Sequence, residues 1–374
     1  MEATPPRRFL PAILLAIAVN LAAPFMGLIR NFLFDAFPRT AVRGMTVALG
    51  LLAAGFFLYA LAKIRHHRLL RYGGLVVVGA LLWIQAIGFK TQLASVNVVE
   101  KVHIFEYGLL AYLLYRAFRP AGDLSAPLLA LLWTVFAGTI EEGVQWWVET
   151  RTGEIRDVLL NAFSGLCGLV FALSLEPPER FSWRISPAGW RRLGTSAAIL
   201  TLTMGVFFYA AHLGYMVEDP EIGRFRSFFT REQLEEAAAD RAEKWAANPP
   251  GELSPWRKED RYLLEAGWHN QHRNQSYELR FYYLARQANL ILEKYHAPYL
   301  DLESFRKTGD RRFPPHVLRE LDAKAPRRPP EEYVSPVGDR LIYTRPSKPV
   351  FLAILLPVVL FLWALPRLAL REGL

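Results

Sequence analysis

Eight apolar runs, near 9–29, 44–62, 73–88, 97–118, 125–148, 157–173, 193–213 and 350–368, divide the chain, and short polar connections separate the first seven. A helix that crosses a bilayer needs about 17–25 largely apolar residues, so each run reads as a spanning helix, the third being the shortest. The pattern changes at 214–349, which has no long apolar run and is rich in charged and aromatic residues. There Thr230 and Gln233 form a capping box expected to open a helix through Ala247, closed by Pro249 and Pro250. A second helical zone is expected from Arg257 to about Tyr295, broken near Asn274 and ended by Pro298. In it Tyr277, Phe281, Leu284, Ala288, Ile291, Leu292 and Tyr295 recur at steps of three or four. One or two shorter helices are expected in 301–325, and 332–345 reads as a hairpin turning at Gly338 and Asp339. The expected fold class is therefore all-α. A polytopic helical membrane bundle (1–213) precedes a mainly helical extracytoplasmic domain (214–349), and a C-terminal transmembrane helix with a short tail follows (350–374).

Charge changes this picture by giving it a direction. The formal net charge is +9 and the pI about 9.6, which in a soluble protein would point to nucleic acid. Here the lysines and arginines sit largely in short loops between apolar runs, where they orient helices, and nucleic-acid binding is not expected. Placing Arg7 and Arg8 in the cytoplasm also places there Lys63, Arg65, Arg68 and Arg71, then Arg116 and Arg119, then Arg180, Arg184, Arg191 and Arg192, and finally Arg367 and Arg371. The 30–43 connection dissents, with three arginines against Asp35 on the outer side. Arg7 and Arg8 precede an apolar run longer than a signal-peptide core of roughly 7–15 residues, so a retained anchor is expected. The expected location is the inner membrane, multi-pass, with both termini cytoplasmic. The single cysteine, Cys167, rules out an intramolecular disulfide framework and a multi-cysteine metal site.

Three apolar runs carry charge where a bilayer penalises it. His103, Glu106 and Tyr107 share one helical face by i, i+3, i+4 spacing, as do Glu141, Glu142 and Gln145. Asp157, Asn161, Ser164, Gly165 and Gly168 make a further stripe at the same spacing. Each ionised side chain at membrane depth costs roughly 2.5–3.5 kcal/mol on insertion scales, which marks the group as a functional cluster. One imidazole among carboxylates suits a divalent metal, general acid–base chemistry or a ligand. It also describes a structural network in which Lys101, Arg151 and Arg156 pair with Glu141, Glu142 and Asp157. No metal site is assigned on this pattern. Trp268, His269, His272 and His296 in the 214–349 domain suggest a metal, but histidines on helix surfaces are usually solvated, and the solvated reading is preferred.

The motifs are Lys101, His103, Glu106, Tyr107 and Gly108 as K-x-H-x-x-E-Y-G, then Glu141, Glu142 and Gln145 as E-E-x-x-Q, then Arg151, then Arg156, Asp157 and Asn161 as R-D-x-x-x-N. In that order, within a core of about 97–173, they resemble the VanZ-like family of integral membrane proteins, named for an accessory determinant of teicoplanin resistance. The resemblance implies a cell-envelope membrane protein and no named reaction. Glu141 and Glu142 also resemble the double glutamate of intramembrane CAAX-processing proteases, but Trp146 stands where that family has arginine, and no downstream histidine motif follows.

The leading expectation is a protein that binds a membrane lipid, or a lipid-linked or cell-wall precursor, at an outward-facing charged pocket. The 214–349 domain would then be available to an envelope protein partner. The alternative is a membrane-embedded hydrolase or transferase acting on such a lipid through His103 and the carboxylates. The orientation is directly testable. With Cys167→Ser as background, a cysteine at Ser227 is expected to react with an impermeant maleimide on intact cells, and labelling only after permeabilisation would reverse the topology.

Overall fold

The computed structural model describes residues 5–36, 38–88, 94–147, 153–178, 180–247, 261–302 and 311–369. Among them every apolar run forms a helix: α1 (Pro5–Ala36), α2 (Pro38–Lys63), α3 (Arg68–Gly88), α4 (Ala94–Phe118), α5 (Ser125–Trp146), α6 (Ile155–Leu175) and α7 (Pro187–Ala211). After α7 come strands β1 (Tyr215–Asp219) and β2 (Gly223–Ser227). Helices α8 (Arg231–Ala247), α9 (Arg261–Glu278), α10 (Tyr282–Tyr295), α11 (Ala297–Leu300), α12 (Pro315–Lys324) and α13 (Lys348–Ala369) complete the chain. The architecture is all-α apart from one hairpin. It divides into two compact units, Met1–Phe207 with Ala353–Leu374, and Phe208–Leu352.

In the first unit α1, α2, α3, α5, α6 and α7 are long and apolar enough to cross a membrane. Helix α4 falls short on composition because it carries Glu100, Lys101, Glu106 and Arg116, and the apolar stretch of α13, Lys348–Ala364, falls short on length. The inner seam is α4, α5 and α6. Half or more of the most apolar stretch of α5 and of α6 is buried, against 6% for α2. Tyr107, Leu110, Ala111, Leu114 and Tyr115 of α4 pack on Ala130 and Ala137 of α5 and on Leu169 and Ala172 of α6. Leu14, Leu51 and Val76 on α1, α2 and α3 are exposed, as a helix face solvated by lipid would be. Glycine sets how closely α4 and α6 approach. A Cβ on Gly168 would stand 2.1 Å from the Gly108 carbonyl oxygen, so only a hydrogen fits there.

The basic helix ends meet at one carboxylate. Glu176, just past α6, lies 3.3 Å from Lys63, 3.4 Å from Arg116 and 3.5 Å from Arg119, and accepts from the Tyr112 hydroxyl at 3.0 Å. Arg71 donates to the Ser174 carbonyl at 2.7 Å. Two of the basic clusters read from the sequence, Lys63 with Arg71 and Arg116 with Arg119, therefore share one end of the bundle.

The second unit packs α8, α9 and α10 against the hairpin, with Val217, Ile222, Phe225, Leu234, Tyr262, Ile291, Tyr295 and Tyr333 in its core. The capping box forms as its sequence predicts: the Thr230 amide donates to Gln233 Oε1 at 3.0 Å and the Gln233 amide to Thr230 Oγ1 at 3.3 Å. Other details differ. The break in the helical zone comes after Glu278, where Arg280 adopts a left-handed φ of 63°, and not near Asn274. Pro298 opens α11 instead of ending α10.

The hairpin lies at 215–227 rather than 332–345. Pro336 removes a donor from the later segment, which makes only single bridges, Leu213 to Tyr343 and Arg224 to Val334. Asp219 closes the real turn by accepting from the Glu221 and Ile222 amides at 2.9 and 3.1 Å. Ser227 is fully buried, so exposed Glu278 replaces it as the maleimide reporter.

The glycine contact makes a quantitative prediction. Gly168→Ala is expected to lower the thermal midpoint of the detergent-solubilised protein, since backbone must move and such overpacking costs about 1–3 kcal/mol. Gly79→Ala, with open space around it, should leave the midpoint unchanged or raise it. An unchanged midpoint in Gly168→Ala would mean that α4 and α6 are not in contact there.

Candidate functional site

The start of α4, the end of α5 and the start of α6 come together at the end of the bundle away from Glu176, because successive helices run antiparallel. Glu141 is buried there and held by neutral donors from all three helices. Its Oε2 accepts from the Tyr107 hydroxyl at 2.6 Å and from Asn161 Nδ2 at 3.2 Å, and its Oε1 from Gln145 Nε2 at 2.9 Å. Glu142, fully buried, accepts from the same Gln145 amide at 3.2 Å and from the Glu154 backbone amide at 3.1 Å. Gly153 permits that turn, since a Cβ would stand 2.4 Å from the Glu142 carbonyl oxygen. Gly138 is needed for a similar reason: a Cβ there would lie 2.9 Å from that of Asn161.

Two half-exposed groups flank this buried network. His103 stacks on Tyr107, with rings 17° apart and centroids at 6.1 Å, and its Nδ1 is 3.8 Å from Glu106. Arg156 bridges Glu100 at 2.8 Å and Asp157 at 3.0 Å. Lys101 makes no ion pair among the described residues. Arg151 lies outside the described residues. The structure thus joins Tyr107, Glu141, Glu142, Gln145 and Asn161 directly, and sets His103 with Glu106 and Arg156 with Asp157 as separate pairs. The cationic pairing considered for Glu141 is replaced by neutral hydrogen bonds.

The sequence reading missed Glu100, the partner of Arg156, and Gln85, which is buried and donates to Ser164 Oγ at 3.0 Å. Gln85 carried a usable signal as the only polar side chain in the apolar stretch 75–88. An apolar cavity of about 300 Å³ lies between α2, α4 and α6, lined by Phe56, Phe105, Gly108 and Phe171 and, toward Glu176, by Tyr112 and Leu175. Phe105 occupies the same turn of α4 as Glu106.

The second unit corrects another expectation. His269 and His296 are not solvated but fully buried, next to an equally buried Glu265. The protein interior disfavours their charged forms: burial pushes the Glu265 carboxyl up to about 8 and the His296 imidazole down to about 3.

Comparison with known families finds that residues 78–176, which run from α3 through α6, match the family model VanZ/LLP1. That stretch is a VanZ-like domain, and it contains every membrane residue described above from Glu100 to Asn161. No curated protein and no solved structure matches the chain.

The two kinds of contact should differ in strength. Tyr107→Phe removes the shortest bond to a buried carboxylate and is expected to destabilise the protein by about 1–3 kcal/mol. Arg156→Gln, at a half-exposed pair, should cost about 0–1 kcal/mol. Thermal midpoints in detergent measure both, and the reverse order would show that the ion pair, not the buried network, holds the three helix ends.

Proposed function

We propose that this membrane protein works in the cell envelope and binds a lipid-linked ligand where α4, α5 and α6 meet. The observation that carries the reading is that α4 has two unlike surfaces, one with His103, Glu106 and Tyr107 at the Glu141–Glu142 network and one with Phe105 and Gly108 lining an apolar cavity large enough for part of a lipid chain. A polar head would meet His103, Glu106 and Arg156, and an apolar tail would lie along Phe56, Phe105 and Phe171. The VanZ-like domain is consistent with this reading and names no reaction.

In the proposed orientation both termini are cytoplasmic in the inner membrane and the site opens outward. Its support is the gathering of Lys63, Arg71, Arg116 and Arg119 around the C-terminal end of α6, opposite the carboxylates. Exposed Trp147 at the other end of α5 suits the outer aromatic belt. The chain between α7 and α13 would then be extracytoplasmic and accessible to an envelope partner. The hydrolase alternative needs His103 and the carboxylates on one reacting atom. Binding is preferred because Glu141 is engaged by Tyr107, Gln145 and Asn161 rather than by His103.

Native mass spectrometry of the protein extracted in mild detergent tests the reading. The wild type is expected to retain a lipid phosphate species that Arg156→Gln, which removes the cation facing the head, loses while keeping its helical circular-dichroism spectrum. A wild type that carries no such lipid, or an Arg156→Gln protein that keeps it, would refute the ligand site. Phe105→Trp, which crowds the cavity without touching the carboxylates, is expected to weaken retention of the same lipid.

A further inference from the structure

The second unit holds three metal-type donors in its core. Glu265 and His269 stand one helical turn apart on the same face of α9. His296 follows the last residue of α10, with its backbone amide donating to Leu292 at 2.9 Å. All three side chains are fully buried, and one donor atom from each lies within 4.8 Å of the other two.

Their hydrogen bonding is one-sided. Glu265 Oε2 accepts from Ser227 Oγ at 3.1 Å and from the Phe228 amide at 3.0 Å, which fixes the carboxylate plane. Glu265 Oε1 and both ring nitrogens of His269 and of His296 have no hydrogen-bond partner. Buried polar atoms normally find partners, and five orphans in one cluster need a reason. The bland account treats the two imidazoles as aromatic filler, His296 packing on Tyr262 with centroids at 4.7 Å and His269 on Phe225 at 5.8 Å. It explains the ring contacts and leaves all five orphan atoms unexplained.

We propose that Glu265, His269 and His296 bind a divalent transition-metal ion of the zinc class. Two neutral imidazoles and one carboxylate are a recurrent donor set for zinc and leave its fourth position to a further ligand, whereas calcium and magnesium take oxygen donors. Zinc–ligand bonds of about 2.0–2.2 Å put tetrahedral donors roughly 3.3 Å apart, a separation that small side-chain rotations reach from the observed cluster. Ser227 and the Phe228 amide already orient the carboxylate as second-layer partners do around metals. The ion would tie α9 to the α10–α11 junction and, through Glu265, to the end of β2.

The test uses the full chain, purified in detergent through a tag without histidine, dialysed against zinc chloride and then freed of excess ion. Elemental analysis is expected to find a stoichiometric equivalent of zinc that is lost in Glu265→Gln, His269→Ala and His296→Ala. It should be kept in His316→Ala, at an exposed position on α12, and in His103→Ala. Because the buried variants can fail to fold, the wild type is also loaded with cobalt(II), for which the visible bands of a tetrahedral complex with mixed nitrogen and oxygen donors are expected. A wild type with neither bound zinc nor those bands overturns the proposal and leaves water as the filler of the cluster. Zinc retained in folded Glu265→Gln, His269→Ala and His296→Ala proteins overturns it as well.

Discussion

A carboxylate inside a helix bundle must be surrounded by donors, and the first unit is built around meeting that demand at Glu141. An unmet charge or dipole there costs several kcal/mol, a large share of a domain's stability of about 5–15 kcal/mol. Tyr107, Gln145 and Asn161 supply the donors from α4, α5 and α6. Because each must come within hydrogen-bonding distance, the three helices are fixed in register as well as in proximity. The small residues follow from this. Gly138 leaves room for Asn161, and Gly108 with Gly168 lets α4 and α6 approach closely enough for the bonds to form.

The two ends of the bundle differ in the charge they gather. Acidic groups and His103 lie where α4 begins, whereas Lys63, Arg116 and Arg119 gather on Glu176 where α4 stops and α6 stops. This division makes the reading of a lipid-linked ligand coherent, since a headgroup needs a polar mouth and its chain needs an apolar wall, and α4 offers both within two turns. The surrounding helices contribute little polar chemistry. Their exposed leucines, valines and phenylalanines are what lipid requires of them.

The second unit shows that its buried polar groups are usually satisfied, which sharpens the exception. Arg273 is nearly fully buried, yet it donates to Asn270, Asn289 and the Arg311 carbonyl and lies over the Phe313 ring at 3.9 Å. Burial still pulls its guanidinium down to about 10. Burial would raise Asp219, but hydrogen bonds from Lys294, Tyr295 and the turn amides outweigh it and hold the carboxyl at about 2. His272 Nε2 and the Tyr283 and Tyr333 hydroxyls are also without hydrogen-bond partners, but among the described residues only at His269 and His296 do such atoms gather with a buried carboxylate.

Apolar run length by itself determined where the helices of the bundle lie, because a bilayer span is a one-dimensional requirement that sequence states directly. Local chemistry likewise determined the start of α8, where the capping box needs only residues three apart, and motif spacing marked Tyr107, Glu141, Glu142, Gln145 and Asn161 within a larger group that also held Lys101, His103, Glu106, Arg151, Arg156 and Asp157. Tertiary structure decided who bonds to whom. That Glu141 takes neutral donors and Arg156 turns to Glu100 depends on helix register, which no single helix encodes. Tertiary structure also decided that the hairpin forms at 215–227, where Tyr295 and Lys294 from a distant helix secure Asp219. Burial of His269 and His296 was illegible for the same reason. His269 lies on a mostly polar helix and His296 at a helix junction, and only the packing of α9 against α10 and the hairpin turns those two positions inward.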